Sequence, residues 1–222
     1  MTDPETSGIN RYAEKSLHIA LKDYLAHPGD RFEVEVDGFV VDMLRGEQII
    51  EIQTQNFSAL KRKLNQLIQA HSVRLIYPIA LERWIIKGDS RRRSPKRGHV
   101  THVFNELVYL HHLMAYPNFS LQVLMIRDEE IRINDGKGSW RRGGWSIQDR
   151  RLLDVVESVL FETVDDLKNL LPDELPATFT AAQLASCLKQ KQPVAQRMVY
   201  CLRHMGAITQ VGKLGRAYLY AR

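Results

Sequence analysis

Asp42 and Glu51 lie in two extended segments joined by a short turn, RFEVEVDGFVVDMLRGEQIIEIQTQ, and Gln53 follows two residues after the second carboxylate. The return segment QIIEIQTQ alternates with period two, so Glu51 and Gln53 point one way while Ile50 and Ile52 point the other. The turn at Arg45, Gly46 and Glu47 is short enough to enforce an antiparallel hairpin, with Gly46 free to take a positive φ, and that pairing brings Asp42 toward Glu51. Carboxylates so placed repel each other and are costly to bury unless a hard cation compensates them. An all-oxygen donor set suits Mg²⁺, with Mn²⁺ as a substitute, better than a thiolate-seeking metal. Set against a phosphodiester, such an ion polarises a nonbridging oxygen, acidifies an attacking water and stabilises developing charge. Gln53 can orient that water but cannot take its proton, and its amide has the alternative of bonding nearby backbone. Asp42 likewise has the alternative of a structural hydrogen bond or ion pair, which an aspartate inside the apolar run VVDML would need.

The elements that must position these groups read as a helix NRYAEKSLHIALKDYLA carrying Glu14, the strands around Asp42 and Glu51, a helix FSALKRKLNQLIQA and a strand SVRLIYPIA. Glu33, Glu35 and Asp37 alternate as on the solvated side of an edge strand. Taken in order, the segments from Asn10 to Pro78 resemble the PD-(D/E)XK nuclease superfamily. That resemblance implies an α/β fold with a restriction-endonuclease-like αβββαβ core and a mixed sheet. It also implies a hydrolytic site of Glu14, Asp42, Glu51 and Gln53, in which Asp42 and Glu51 hold Mg²⁺. The departure is Gln53, where the family usually has lysine; some type II restriction enzymes have glutamine there and remain active. Glu14 has the alternative of a solvated helix face.

A second architecture closes the chain. TFTAAQLASCLKQ opens with Thr180 as N-cap of a helix with an apolar stripe through Ala181, Leu184, Ala185 and Leu188. Pro193 starts a second helix that ends at Gly206, and AITQVGKLGRAYLY gives two short strands. Helix, turn, helix and hairpin together resemble a winged helix-turn-helix domain, whose second helix would be offered to a major groove with the hairpin as wing. Leu175 to Arg222 carries seven Lys or Arg and no acid, while LLDVVESVLFETVDDLKNLLPDE just before it carries seven acids and one lysine. Lys189, Lys191, Arg197, Arg203, Lys213 and Arg216 could meet phosphates, whereas Gln192, Gln196 and Arg197 stand where base edges would be reached. The division expected is a nuclease-like domain over residues 1–150, a helical linker over 151–176 and the winged domain over 177–222.

The net charge of +5 suits a polyanionic partner, yet the first sixty residues hold eleven acids against five bases, so the positive charge lies elsewhere. One patch is ERWIIKGDSRRRSPKRGH, a basic loop over residues 83–98 in which Arg91, Arg92, Arg93, Lys96 and Arg97 could track a DNA backbone or stay solvated. Another is GKGSWRRGGWSIQDRR, where Arg141 and Arg142 flank tryptophans that can stack on bases or anchor an interface. HVFNELVYLHHL reads as a helix through His111 and FSLQVLMIR as a strand, while the histidines lack the spacing of a zinc site. Cys187 and Cys201 read as buried free thiols of a reducing compartment. With no signal peptide or membrane-length apolar run, the expected location is cytoplasmic or nucleoid-associated. The expected partners are DNA, duplex or branched, and a second copy of the chain, since one metal site serves one strand. The competing readings are a noncatalytic DNA-binding regulator with a degenerate nuclease fold, and a protein-binding adaptor.

Overall fold

The structure, a computed structural model, describes residues 15–222. Glu14 therefore lies outside the described residues. The fold is α/β with a large mixed sheet. α1 (Lys15–Leu25) precedes a meander of β1 (Arg31–Val36), β2 (Phe39–Arg45) and β3 (Gln48–Ile52). A 3₁₀ turn at Phe57–Leu60 leads into α2 (Lys61–Leu67), which returns the chain to β4 (Ser72–Lys87). The first three strands pair antiparallel and β4 runs parallel to β3. This is what the connections require: tight turns allow antiparallel neighbours, and the helical crossover lets β4 run beside β3 in the same direction.

β5 (Ser90–Arg93) follows β4, then come α3 (Phe104–Leu107), β6 (Phe119–Ile133) and β7 (Ser146–Phe161). The seven-stranded sheet has the order β1-β2-β3-β4-β6-β7, with β5 attached to β4. α4 (Val164–Lys168), β8 (Thr178–Phe179), α5 (Ala181–Cys187), α6 (Gln192–His204), β9 (Thr209–Leu214) and β10 (Ala217–Ala221) complete the chain, with a second sheet in the order β8-β10-β9.

The chain divides into two compact units, which differ from the expected linear domains. One comprises the described part of Met1–Asp30 with Pro78–His99 and Leu124–Ser158; the other comprises Arg31–Tyr77, Val100–Val123 and Val159–Arg222. The second unit holds β1 to β3, α2 and the whole of the chain after Val159. Its interior includes Met43, Ile49, Phe57, Leu64, Val73, Phe104, Leu121, Phe179 and Met198, all buried. Within it α6 lies against α5 and α3, and Arg197 donates to Asn105 at 2.8 Å. Thr180 caps α5 as expected, closing a reciprocal box with Gln183. Loss of the Thr180 hydroxyl leaves the Gln183 amide without its cap, and Thr180→Ala is expected to cost about 1 kcal/mol in a chemical denaturation experiment.

Several expected elements are corrected. LLDVVES belongs to strand β7 rather than to a helical linker; its valines at 155, 156 and 159 are stiff side chains that favour a pleated backbone, and helix is confined to the five residues of α4. The basic stretch over residues 83–98 is largely a hairpin, β4 pairing with β5 from Trp84↔Arg93 to Lys87↔Ser90 about the turn at Gly88, φ 54°. The helix expected through His111 is broken into short turns at Val100–Val103, α3 and His111–Ala115. Cys201 is buried, and burial pushes its thiol up to about 12, but Cys187 is exposed because it sits outside the Leu184–Ala185–Leu188 stripe.

The other unit carries a dense ionic network. Asp128, fully buried on β6, accepts from Arg83 Nε and Nη2 at 2.8 Å each and from Arg150 Nη2 at 2.6 Å. Glu130, 3 % exposed, accepts from Arg83 at 2.8 Å and from Arg132 Nε at 2.6 Å. Burial alone would lower the Arg83 guanidinium, but Asp128 and Glu130 more than offset it and raise it above its ordinary value.

Candidate metal and phosphodiester site

The ladder between β2 and β3 runs from Arg45↔Gln48 to Met43↔Ile50, and Asp42 and Glu51 stand immediately past its end. Asp42 Oδ2 accepts from the Ile52 amide at 2.7 Å, and Glu51 Oε1 lies 3.4 Å from the Asp42 amide. Each carboxylate thus reaches the backbone of the strand that carries the other. Glu51 is 3 % exposed while Asp42 is half-buried.

Lys63 is the group that the strand motif does not contain. It reaches from α2 to place Nζ 2.6 Å from Glu51 Oε1, and it also donates to the Val40 carbonyl at 2.6 Å. Its position follows from the crossover: α2 buries Leu64 and Leu67, and Lys63, next to the first of these, lies at the rim of the buried face. The signal in sequence is the second lysine of KRKLNQL, adjacent to an apolar position in the helix that must cover the end of β3.

Burial, and after it the Asp42 carboxylate, push Glu51 up to about 7 against the opposing pull of Lys63. The pull of Lys63 thus falls short of burial and Asp42 together, and a cation beside Glu51 would favour its ionised form. Among the described residues no third Asp, Glu, His or Cys joins them in a ligand cluster. Two carboxylates fit a magnesium ion that takes its remaining ligands from water and phosphate, and do not fit a closed protein cage.

Gln53 is turned to other use. Its amide donates to the carbonyls of Gln55 and, at 3.3 Å, Asn56, so it fastens the β3–α2 turn, where Asn56 has φ 61°.

The expected phosphate-contacting residues fall into distinct environments. Arg91 pairs with Glu129 at 2.8 Å and lies over the Trp84 ring, while Arg93 and Arg97 both reach Glu82. Arg92 and Lys96 are exposed. Arg141 lies over Trp140, itself 84 % exposed, and Arg142 donates to the Trp145 carbonyl at 3.1 Å. Lys189 adopts φ 52° in the turn between α5 and α6. Lys191, Gln192, Gln196 and Arg203 are exposed, as are Lys213 and Arg216 of the terminal hairpin. On α6, Tyr200 packs edge-on against His111 at 5.5 Å and its ring lies 4.0 Å from that of His204.

A family model described as a domain of unknown function, DUF8091, matches residues 15–162. The chain belongs to the DUF8091 family. Asp42, Glu51, Gln53 and Lys63 all fall inside the DUF8091 span, which ends before α4. A protein of Treponema pallidum (strain Nichols), named only as uncharacterized, is 34 % identical over 227 residues, covering 96 % of this DUF8091 chain and 87 % of the relative. No solved structure matches. No helix among the described residues is long and apolar enough to cross a membrane.

Proposed function

We propose that this protein is a Mg²⁺-dependent endonuclease that hydrolyses DNA phosphodiester bonds. The observation that carries the reading is the convergence of Asp42, Glu51 and Lys63 at the open end of the β2–β3 ladder. The antiparallel meander, helical crossover and parallel β4 support a restriction-endonuclease-like core, and α5, α6 and the β9–β10 hairpin support a winged helix-turn-helix. Bound between the carboxylates, Mg²⁺ would supply Lewis acidity toward a phosphate oxygen and a water of lowered pKa. Asp42 and Glu51 would hold that ion. Lys63, already hydrogen-bonded to Glu51, takes the place that Gln53 leaves: its ammonium orients the attacking water and favours the charge that builds on the phosphate. The Val40 carbonyl restricts where that ammonium can go. The exposed cations of α6 and the hairpin provide a salt-sensitive hold on duplex or branched DNA.

The burial of Glu51 favours a second reading, in which Lys63 is a fixed counter-ion and the chain binds DNA without cutting it. Incubating a panel of labelled duplex, branched and single-stranded nucleic acids with Mg²⁺ or Mn²⁺ separates the two. Cleavage that disappears in Asp42→Ala supports the nuclease; salt-sensitive binding with no cleavage in either metal supports the second reading.

The raised Glu51 value adds a pH prediction. A carboxyl that titrates near 7 instead of 4.5 stabilises the metal-free fold while protonated; that contribution is full below 4.5 and is lost as pH rises through about 7. Metal binding requires the deprotonated form, so Mg²⁺ affinity should weaken roughly tenfold for each pH unit below that value and level off above it. Melting curves with and without Mg²⁺ at about pH 5.5 and about pH 8 should show a larger metal-induced rise at the higher pH.

A further inference from the structure

We infer that β7 is the edge at which two copies of this chain join, by antiparallel pairing of β7 with β7 about a two-fold axis at Asp154. The large sheet ends in two strands of opposite character. β1 is six residues long, carries Glu33 and Glu35, and is interrupted at Glu33 by φ 50°, all features that discourage another strand from adding. β7 is 16 residues long, its sequence SIQDRRLLDVVESVLF holds no glycine, proline or lysine, and among the described residues β6 is its one strand neighbour. Ile147, Leu153 and Val156 are exposed along it. Its charged residues are its one defence; a long edge with exposed apolar side chains and no proline, glycine or lysine stays open to a strand whose charges complement them.

Charge order points to a second copy as the occupant. The first half of β7 carries Arg150 and Arg151 with Asp149, and the second half Asp154 and Glu157 with no base, so an antiparallel copy sets a net positive half against a net negative one. Symmetry then narrows the register. Successive pairs in an antiparallel ladder alternate between two hydrogen-bond types, so a two-fold axis perpendicular to the sheet must pass through a residue facing itself. With Asp154 on the axis, Arg151 faces Glu157 twice, Leu153 faces Val155 and Leu152 faces Val156. Moving the axis to Leu153 would instead set Asp149 against Glu157, and moving it to Val155 would set Leu153 against Glu157. The Asp154 self-encounter is moderated by Arg127, whose guanidinium lies 3.1 Å from Asp154 in each copy. Arg151 makes only a 3.9 Å approach to Asp149 and is 64 % exposed at its side chain, which leaves it able to reach across.

Sedimentation velocity on the full chain, without metal or DNA, tests this independently of any nuclease activity. The wild type should dimerise between about 1 and 100 μM. Arg151→Glu and Glu157→Arg should each weaken the dimer by about tenfold or more, and the double charge exchange should restore it. Circular dichroism of each variant shows whether the fold is kept; both positions are exposed, so it should be. A wild type that stays monomeric over that range overturns the proposal, as does a dimer indifferent to the single reversals or not restored by the exchange.

Discussion

Asp42→Ala should abolish metal-dependent cleavage, with a loss of about 10³-fold or more, while DNA affinity measured in EDTA remains that of the wild type. The substitution removes one of the two carboxylates and also frees the Ile52 amide, so its fold must be checked by thermal melting. Lys63→Met is the sharper companion. It keeps the length and apolar stem of the side chain but removes the ammonium from Glu51 and from the Val40 carbonyl, and it should cost about 10²-fold in rate. Gln53→Lys, by contrast, should bring no large gain, because position 53 serves the β3–α2 turn and Lys63 already provides the cation. A large gain from Gln53→Lys would place the catalytic cation on β3 and remove the role assigned to α2.

Asp128→Ala should be the most damaging single change to stability. It takes away the shared acceptor of Arg83 and Arg150, leaving two largely enclosed guanidiniums repelling each other with only Glu130 nearby. Breaking a buried ion pair in this one-sided way costs about 3 to 5 kcal/mol. For a chain of this size that corresponds to a fall in melting temperature on the order of 10 °C. Calorimetry of the wild type and of Asp128→Ala measures it directly. Removing Asp128 and Arg150 together should cost less than the sum of the two single changes, since the charges no longer stand alone.

The local hairpin and the Thr180 cap were legible because each depends on neighbours in sequence. Gly46 and the alternation of QIIEIQTQ brought Asp42 to Glu51, and Thr180 announced α5. What could not be read depends on partners far along the chain. Lys63 acquires its role only when the crossover lays α2 over the end of β3, and the Glu51–Lys63 contact has no signature at the E-x-Q motif itself. Nothing in the local sequence singles out Asp128, Glu130 or Arg150, yet they form one network with Arg83 once their strands are assembled. β7 was misjudged for a different reason: its apolar residues come in adjacent pairs, LL, VV and VL, a spacing that fits neither period cleanly. The same pairs leave apolar side chains on the strand's exposed surface, which is what makes it a candidate edge for assembly.

The most direct measurement is anomalous diffraction from crystals of the full chain soaked in Mn²⁺ at a pH above 7. The account predicts one strong peak within coordination distance of both Asp42 and Glu51, with Lys63 drawn off Glu51 toward the face where a phosphate would bind. An undisturbed Glu51–Lys63 pair with no peak beside it, in a crystal whose other carboxylates do bind Mn²⁺, would contradict it.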